Sequence, residues 1–170
     1  MTGLVSVTGR AFVFGDDIDT DVLAPGSLMK LAPEALARHC LEAVDPAFAA
    51  AVKPGDLVFA GRNFGLGSSR EQAAVSLKLL GVGGVLAKSF ARIFFRNAIN
   101  LGLPVFTLDH EGFVAAGDAV RLDVAGARVE NVSRGAARAL APLPPEVLAI
   151  LDAGGLMPLL QRRFASSATS

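Results

Sequence analysis

The sequence predicts a mixed fold, α/β or α+β, from three observations. Strand-like apolar runs alternate with helical periodicities between Asp56 and Leu108. The segment after Leu108 reads as strands in succession before the chain turns helical again. Apolar residues make up 52% of the 170 residues and charged residues 19%, enough to fill the core of one domain spanning 1–170. Periodicity alone does not choose between the two classes.

Taken in order, Val5 to Phe14 interleaves apolar residues with Thr8 and Arg10, as a half-buried strand does. Gly15 to Asp21 is an acidic loop, and Val22-Leu23-Ala24 is expected as a short strand before the Pro25-Gly26 turn. Pro33 to Val44 reads as a helix with proline in its first turn. Asp56 to Ala60 is a strand, and Ser69 to Leu80 a helix closed by Gly81. Gly84 to Ala87 is a buried strand, Ser89 to Leu101 a helix, and Leu103 to Leu108 a strand. Strands follow at Ala119 to Val124 and Ala127 to Val132, then a short helix from Val147 to Ala153. The small, polar residues 165–170 are expected to fray.

Composition excludes several classes. Sixteen basic residues balance sixteen acidic ones, and no Lys/Arg run forms a nucleic-acid arm. No stretch reaches about 18 uninterrupted apolar residues, so no membrane span is expected. Residues Met1 to Arg10 lack the pattern of a secretion signal, which makes the cytoplasm the expected location. The single Cys40 cannot form an internal disulfide or hold an iron–sulfur cluster by itself, and His39 and His110 are far apart. No metal site and no cofactor are expected on this chain.

Three segments carry possible chemistry. Asn63-Phe64-Gly65-Leu66-Gly67-Ser68-Ser69-Arg70-Glu71 packs two glycines, two hydroxyls, an arginine and a glutamate into one short stretch. Ser68 and Glu71 fit a capping box, which would put Ser68 at a helix N-terminus where an anion is stabilised. Arg70 would then occupy the first turn, where the dipole disfavours a cation unless something negative sits beside it. The sequence lacks a P-loop Gly-Lys-Ser/Thr and a G-x-S-x-G elbow. In the second segment, Asp17, Asp19 and Asp21 alternate but miss the calcium-loop pattern, and they read as a solvated turn whose carboxylates take local N–H groups. In the third, Arg92 and Arg96 share a helix face and would anchor acids of a neighbouring loop or lie in solvent. Asn97 and Asn100 in the same helix point to specific hydrogen bonds.

Together the segments G-D-x-I-D-T-D at Gly15–Asp21, G-R-N-F-G-x-G-S-S-R-E at Gly61–Glu71, S-F-A-R-I-F-F-R-N-A-I-N-L-G-L-P at Ser89–Pro104 and L-D-A-G-G-L at Leu151–Leu156 resemble one family. The chain is similar to the small subunits of the isopropylmalate dehydratase and homoaconitase group, and to the swivelling last domain of aconitase. The resemblance implies an α/β fold of the swivelling β/β/α kind. It implies reversible removal of water from a hydroxy di- or tricarboxylic acid, 3-isopropylmalate first, with methylmalate, dimethylmalate or homoaconitate as alternatives. It also implies a separate large subunit carrying a [4Fe–4S] cluster. On this reading Ser68 is the catalytic base. Ser69 and Arg70 bind substrate, while Asn63, Gly65, Gly67, Glu71, Asp19, Asp21, Arg92 and Arg96 support the loop. A rival reading is an anion-binding module without catalysis.

Departures from the family pattern bear on specificity. Leu28 stands where tyrosine is usual and Lys30 where homoaconitase-like members carry arginine. Leu28 and Met29 would meet an alkyl group, and Lys30 a distal carboxylate. Gln72 and Leu66 replace a common histidine and cysteine beside the serine motif.

Overall fold

The computed structural model of the chain describes residues 6–168. In chain order the elements are β1 (Val7–Val13), α1 (Thr20–Leu23), a 3-10 turn (Gly26–Leu28), α2 (Pro33–Ala37), α3 (Phe48–Ala51), β2 (Leu57–Ala60), α4 (Gln72–Leu79), β3 (Gly84–Ala87) and α5 (Arg92–Asn100). They continue with β4 (Val105–Thr107), β5 (Ala119–Asp123), β6 (Arg128–Asn131), β7 (Ala136–Ala139), α6 (Pro145–Ala153) and α7 (Leu156–Ala168).

The strands form one seven-stranded sheet in the order β4-β3-β2-β1-β5-β6-β7. β4, β3, β2 and β1 run parallel, whereas β1, β5, β6 and β7 pair antiparallel. The two halves therefore meet at β1, and the predicted α/β class is the one observed. β2 and β3 are apolar or glycine throughout and buried at every position, as parallel strands covered on both faces require. Their core partners include Leu77 of α4, Phe94 of α5 and Leu122 of β5, all at 2% exposure or less.

Parallel pairing brings the carboxyl ends of β1, β2 and β3 to one edge of the sheet, where ligand sites of parallel sheets are usually built. The loops that leave these ends are laced together. Gly61 N donates to Gly15 O at 3.0 Å, Gly65 N to Ile18 O at 2.7 Å, and Phe64 N to Ser89 O at 3.0 Å.

Several expected elements differ. Residues 22–24 are not a strand: Thr20–Leu23 is a helical turn because the Asp19 carboxylate accepts Val22 N–H at 2.8 Å and caps it. The helix expected from Pro33 to Val44 stops at Ala37, and Leu41, with φ +62°, gives its N–H to Val22 O instead of continuing the helical ladder. The helix expected from Ser89 begins at Arg92, because Phe64 and Phe90 form a parallel bridge first. β7 escaped the sequence reading because Ala136-Ala137-Arg138-Ala139 has no apolar alternation and is wholly exposed. The tail expected to fray is helical through Ala168, while Thr169 and Ser170, like Val5 at the start of the first expected strand, lie outside the described residues.

Candidate functional site

The serine loop is a compact turn with two glycines at positive φ. Gly65 (φ +82°) lets the chain press against α5, where a Cβ would stand 2.3 Å from Phe94 Cβ. Gly67 (φ +115°) lies against α1, where a Cβ would fall 2.9 Å from Thr20 Oγ1. Asn63 holds the loop's entrance, donating its amide N–H to Ser89 Oγ at 2.8 Å and its side-chain amide to Asp17 Oδ1 at 3.0 Å. Beneath the turn, Phe64 makes edge contacts with Phe90 and Phe94. The loop is therefore clamped between α1 and α5, and rigid backing of this kind is what a preorganised site needs.

Ser68 is exposed, with its side chain turned to α1. Thr20 Oγ1, in a residue only 4% exposed, lies 3.2 Å from Ser68 Oγ and accepts Ser68 N–H at 3.2 Å. Thr20 N in turn donates to Leu66 O at 2.8 Å. Thr20 was not among the residues singled out from the sequence. The available signal was its place between two aspartates in the I-D-T-D stretch.

Arg70 reaches the same element. Its Nη1 donates to Ala24 O at 2.8 Å and stands 3.5 Å from Asp21 Oδ1. Asp21 Oδ1 also accepts Gly26 N–H at 2.7 Å, which ties the 3-10 turn to the arginine. Such an exposed ion pair adds little stability, so its effect is positional. Leu28 and Met29 follow in that turn half-buried, and Lys30 is exposed. The structure thus brings Asp19, Asp21, Gly65, Gly67, Ser68 and Arg70 together beside the Gly26–Leu28 turn.

Two expectations are corrected. There is no capping box: α4 begins after Glu71, whose side chain makes no capping bond, and Ser68 lies upstream of the helix. Arg70 therefore does not sit in a first helical turn, and its partners are Asp21 and a carbonyl rather than a dipole it must oppose. Arg92 and Arg96, expected either to anchor acids of a neighbouring loop or to lie in solvent, take the second course. Both are exposed, and among the described residues neither pairs with a carboxylate. The Asp-rich loop instead uses its carboxylates on N–H groups: Asp16 accepts Arg62 N–H at 2.7 Å, alongside the contacts of Asp17, Asp19 and Asp21. Asn97 Nδ2 stands 3.5 Å from Ser69 O, a long contact that links α5 to the loop.

The residues of this chain do not fit an iron–sulfur cluster. Cys40 is fully buried, and burial pushes its thiol pKa well up, which opposes the thiolate a cluster binds. Among the described residues no group of three or more His, Cys, Asp and Glu stands together to hold a metal. His110 is committed to structure, donating Nε2–H to Ala60 O.

This architecture, with its serine loop at the carboxyl edge of the parallel strands, is that of an aconitase-type swivel domain. The aconitase C-terminal domain family matches residues 34–111. The 3-isopropylmalate dehydratase small subunit of Moorella thermoacetica is 45% identical over 163 residues, covering 95% of this chain and 98% of that protein. Small subunit 1 from Archaeoglobus fulgidus is 47% identical over 88% of this chain and 93% of its own length. The crystal structure of 3-isopropylmalate dehydratase from Methanocaldococcus jannaschii superposes with a TM-score of 0.92 at 39% identity, covering 97% of this chain and 99% of that one. The chain belongs to the 3-isopropylmalate dehydratase small subunit family.

Proposed function

We propose that Ser68 is the base through which this chain, as the small subunit of a 3-isopropylmalate dehydratase, takes part in a hydro-lyase reaction of leucine biosynthesis. Its partner is a large subunit, which carries the [4Fe–4S] cluster, and the pair works in the cytoplasm. The observation that carries the reading is the grouping of Ser68, Thr20 and Arg70 on loops held at one sheet edge.

Elimination of water from 3-isopropylmalate breaks a C–H bond beside a carboxylate and a C–O bond on the neighbouring carbon. Ser68 Oγ, as the alkoxide, takes the proton. The released electron pair forms the double bond as the hydroxyl group departs as hydroxide; the proton taken by Ser68 then passes to it through solvent, so that water is the net product and the alkoxide is restored. The same groups serve addition in reverse. Arg70 orients a substrate carboxylate; its Nη1 is held by Ala24 O, which fixes the plane of the guanidinium for a bidentate contact. Leu28 and Met29 meet the isopropyl group. The exposed Lys30 makes a second dicarboxylate class, homoaconitate-like, the alternative to assay.

The test is co-expression with the cognate large subunit and a panel of hydroxy acids. Dehydration of 3-isopropylmalate by the pair is expected. Ser68→Ala should lower kcat by about 10²–10⁴-fold with the complex intact. Near-normal turnover by this variant would remove Ser68 from its role, and no turnover of any hydroxy acid by the wild-type pair would overturn the enzyme reading.

A further inference from the structure

A cleft of about 620 Å³ opens along α5, and its lining is set by that helix's periodicity. Phe90, Phe95 and Ile99 supply apolar surface, and Val147 and Ile150 of α6 close the opposite wall. Arg92 and Arg96, one turn apart, line the same cleft. Neither guanidinium pairs with a carboxylate among the described residues, and both are exposed. Two unpaired cations beside an apolar hollow are an arrangement that a folded chain has no internal use for. It suits an occupant with an apolar side chain and carboxylates at its flank.

The position of the cleft says which occupant. α5 also backs the serine loop: Phe94 packs on Phe64 and Gly65, and Asn97 faces Ser69 O. Ile93, one helical turn before Asn97, is 45% exposed. One can therefore pass around the surface of α5 from Ser69 through Asn97 and Ile93 to Arg92, Arg96 and the cleft without leaving the helix. The serine loop is half of a site that a second subunit must close, so the partner's surface arrives next to this helix. Its apolar and cationic flank then lies at the margin of that contact.

We propose that the α5–α6 cleft, with Arg92 and Arg96, is a docking seat for a segment of the large subunit that inserts an apolar side chain and presents carboxylates to the two guanidiniums. The inference rests on the small-subunit reading above. A rim of charge of this kind speeds encounter and makes binding salt-dependent, while the apolar insert slows dissociation.

The experiment measures binding of the full-length chain to the purified cognate large subunit at low and high salt. The Arg92→Glu/Arg96→Glu double variant is compared with wild type and with Arg128→Glu on β6. Both changes are on exposed side chains, and circular dichroism checks the fold. The double variant is expected to bind about 30-fold or more weakly at low salt and to gain rather than lose affinity as salt is added, because its carboxylates would face carboxylates, while Arg128→Glu binds as wild type does. Hydrogen exchange on the unmodified pair should show protection of 92–100 and 145–153 on complex formation. Unchanged affinity of the double variant, or no added protection of these helices in a pair that forms and turns over, overturns the docking seat and leaves the enzyme reading standing. Protection that arises from self-association of this chain alone also overturns it. Failure of the wild-type subunits to pair overturns both.

Discussion

Thr20 Oγ1 meets Ser68 twice, accepting its N–H and standing 3.2 Å from its Oγ. A hydroxyl that accepts from the amide still has its own proton to give, and the serine oxygen is within reach of it. A hydroxyl that donates to Ser68 Oγ stabilises the alkoxide over the alcohol and lowers its pKa. Thr20→Val keeps the shape and removes the donor. A hydrogen bond to a charged group is worth about 1.5–3 kcal/mol, so kcat/KM of the reconstituted pair should fall about 10–100-fold. Its pH profile should move to higher pH, and Thr20→Ser should restore most of both. A profile that does not move would assign Thr20 a purely structural part.

Asp21 joins Arg70 to the Gly26–Leu28 turn through one carboxylate oxygen. Asp21→Ala frees both partners. Because the pair is exposed, the change in unfolding free energy should be within about 1 kcal/mol. The expected effect is on substrate binding, a KM raised more than kcat is lowered, measured by steady-state kinetics on the assembled pair. Arg70→Lys should act in the same direction and more strongly, since an ammonium cannot make a bidentate contact.

Gly65→Ala tests the clamp between the serine loop and α5. The new Cβ would meet the root of the Phe94 side chain at 2.3 Å, which no rotamer change relieves, and the backbone is left-handed there. Strain and overpacking together should cost about 2–4 kcal/mol, read as a lowered denaturation midpoint.

On the antiparallel half of the sheet, Asp118 makes a contribution to stability that depends on pH. Hydrogen bonds from Asn131 Nδ2 and Ala115 N–H, with Arg134 at 3.2 Å, hold its carboxyl below the ordinary aspartate value of 3.8. A depressed folded pKa contributes stability that is complete above the unfolded value and is lost as pH falls through the folded one. Asp118→Asn should therefore be less stable than wild type at pH 7. The gap should close as both are titrated below pH 3.8, in urea melts across that range.

Cys40 should be silent in the native state. It is fully buried and its thiol pKa is raised, so an aromatic disulfide reagent should label it only as the chain unfolds. Rapid labelling of the native protein would contradict its placement.

Much of the fold was legible locally. The all-apolar runs of β2 and β3, the glycine-terminated helix between them and the amphipathic α5 each carry their own signal. The misreadings share a cause, which is a partner distant in sequence. Leu41 leaves its helix for Val22 O, and Ser89 and Ala91 stay extended to pair with Phe64. A capping box is a local pattern as well, yet the loop's bonds to Thr20 hold Ser68 outside α4.

The sequence by itself determined the family, through motifs whose residue types are read without coordinates. It also determined that a lone cysteine cannot hold a cluster, because ligand number is a matter of counting. Only the tertiary structure decided what the polar groups of those motifs touch. Ser68 and Arg70 are separated from Thr20 and Asp21 by almost fifty residues, and parallel pairing of β1 with β2 closes that gap. The arginines of α5 were equally visible in both, but which carboxylates they meet depends on where folding leaves them, and it leaves them facing outward.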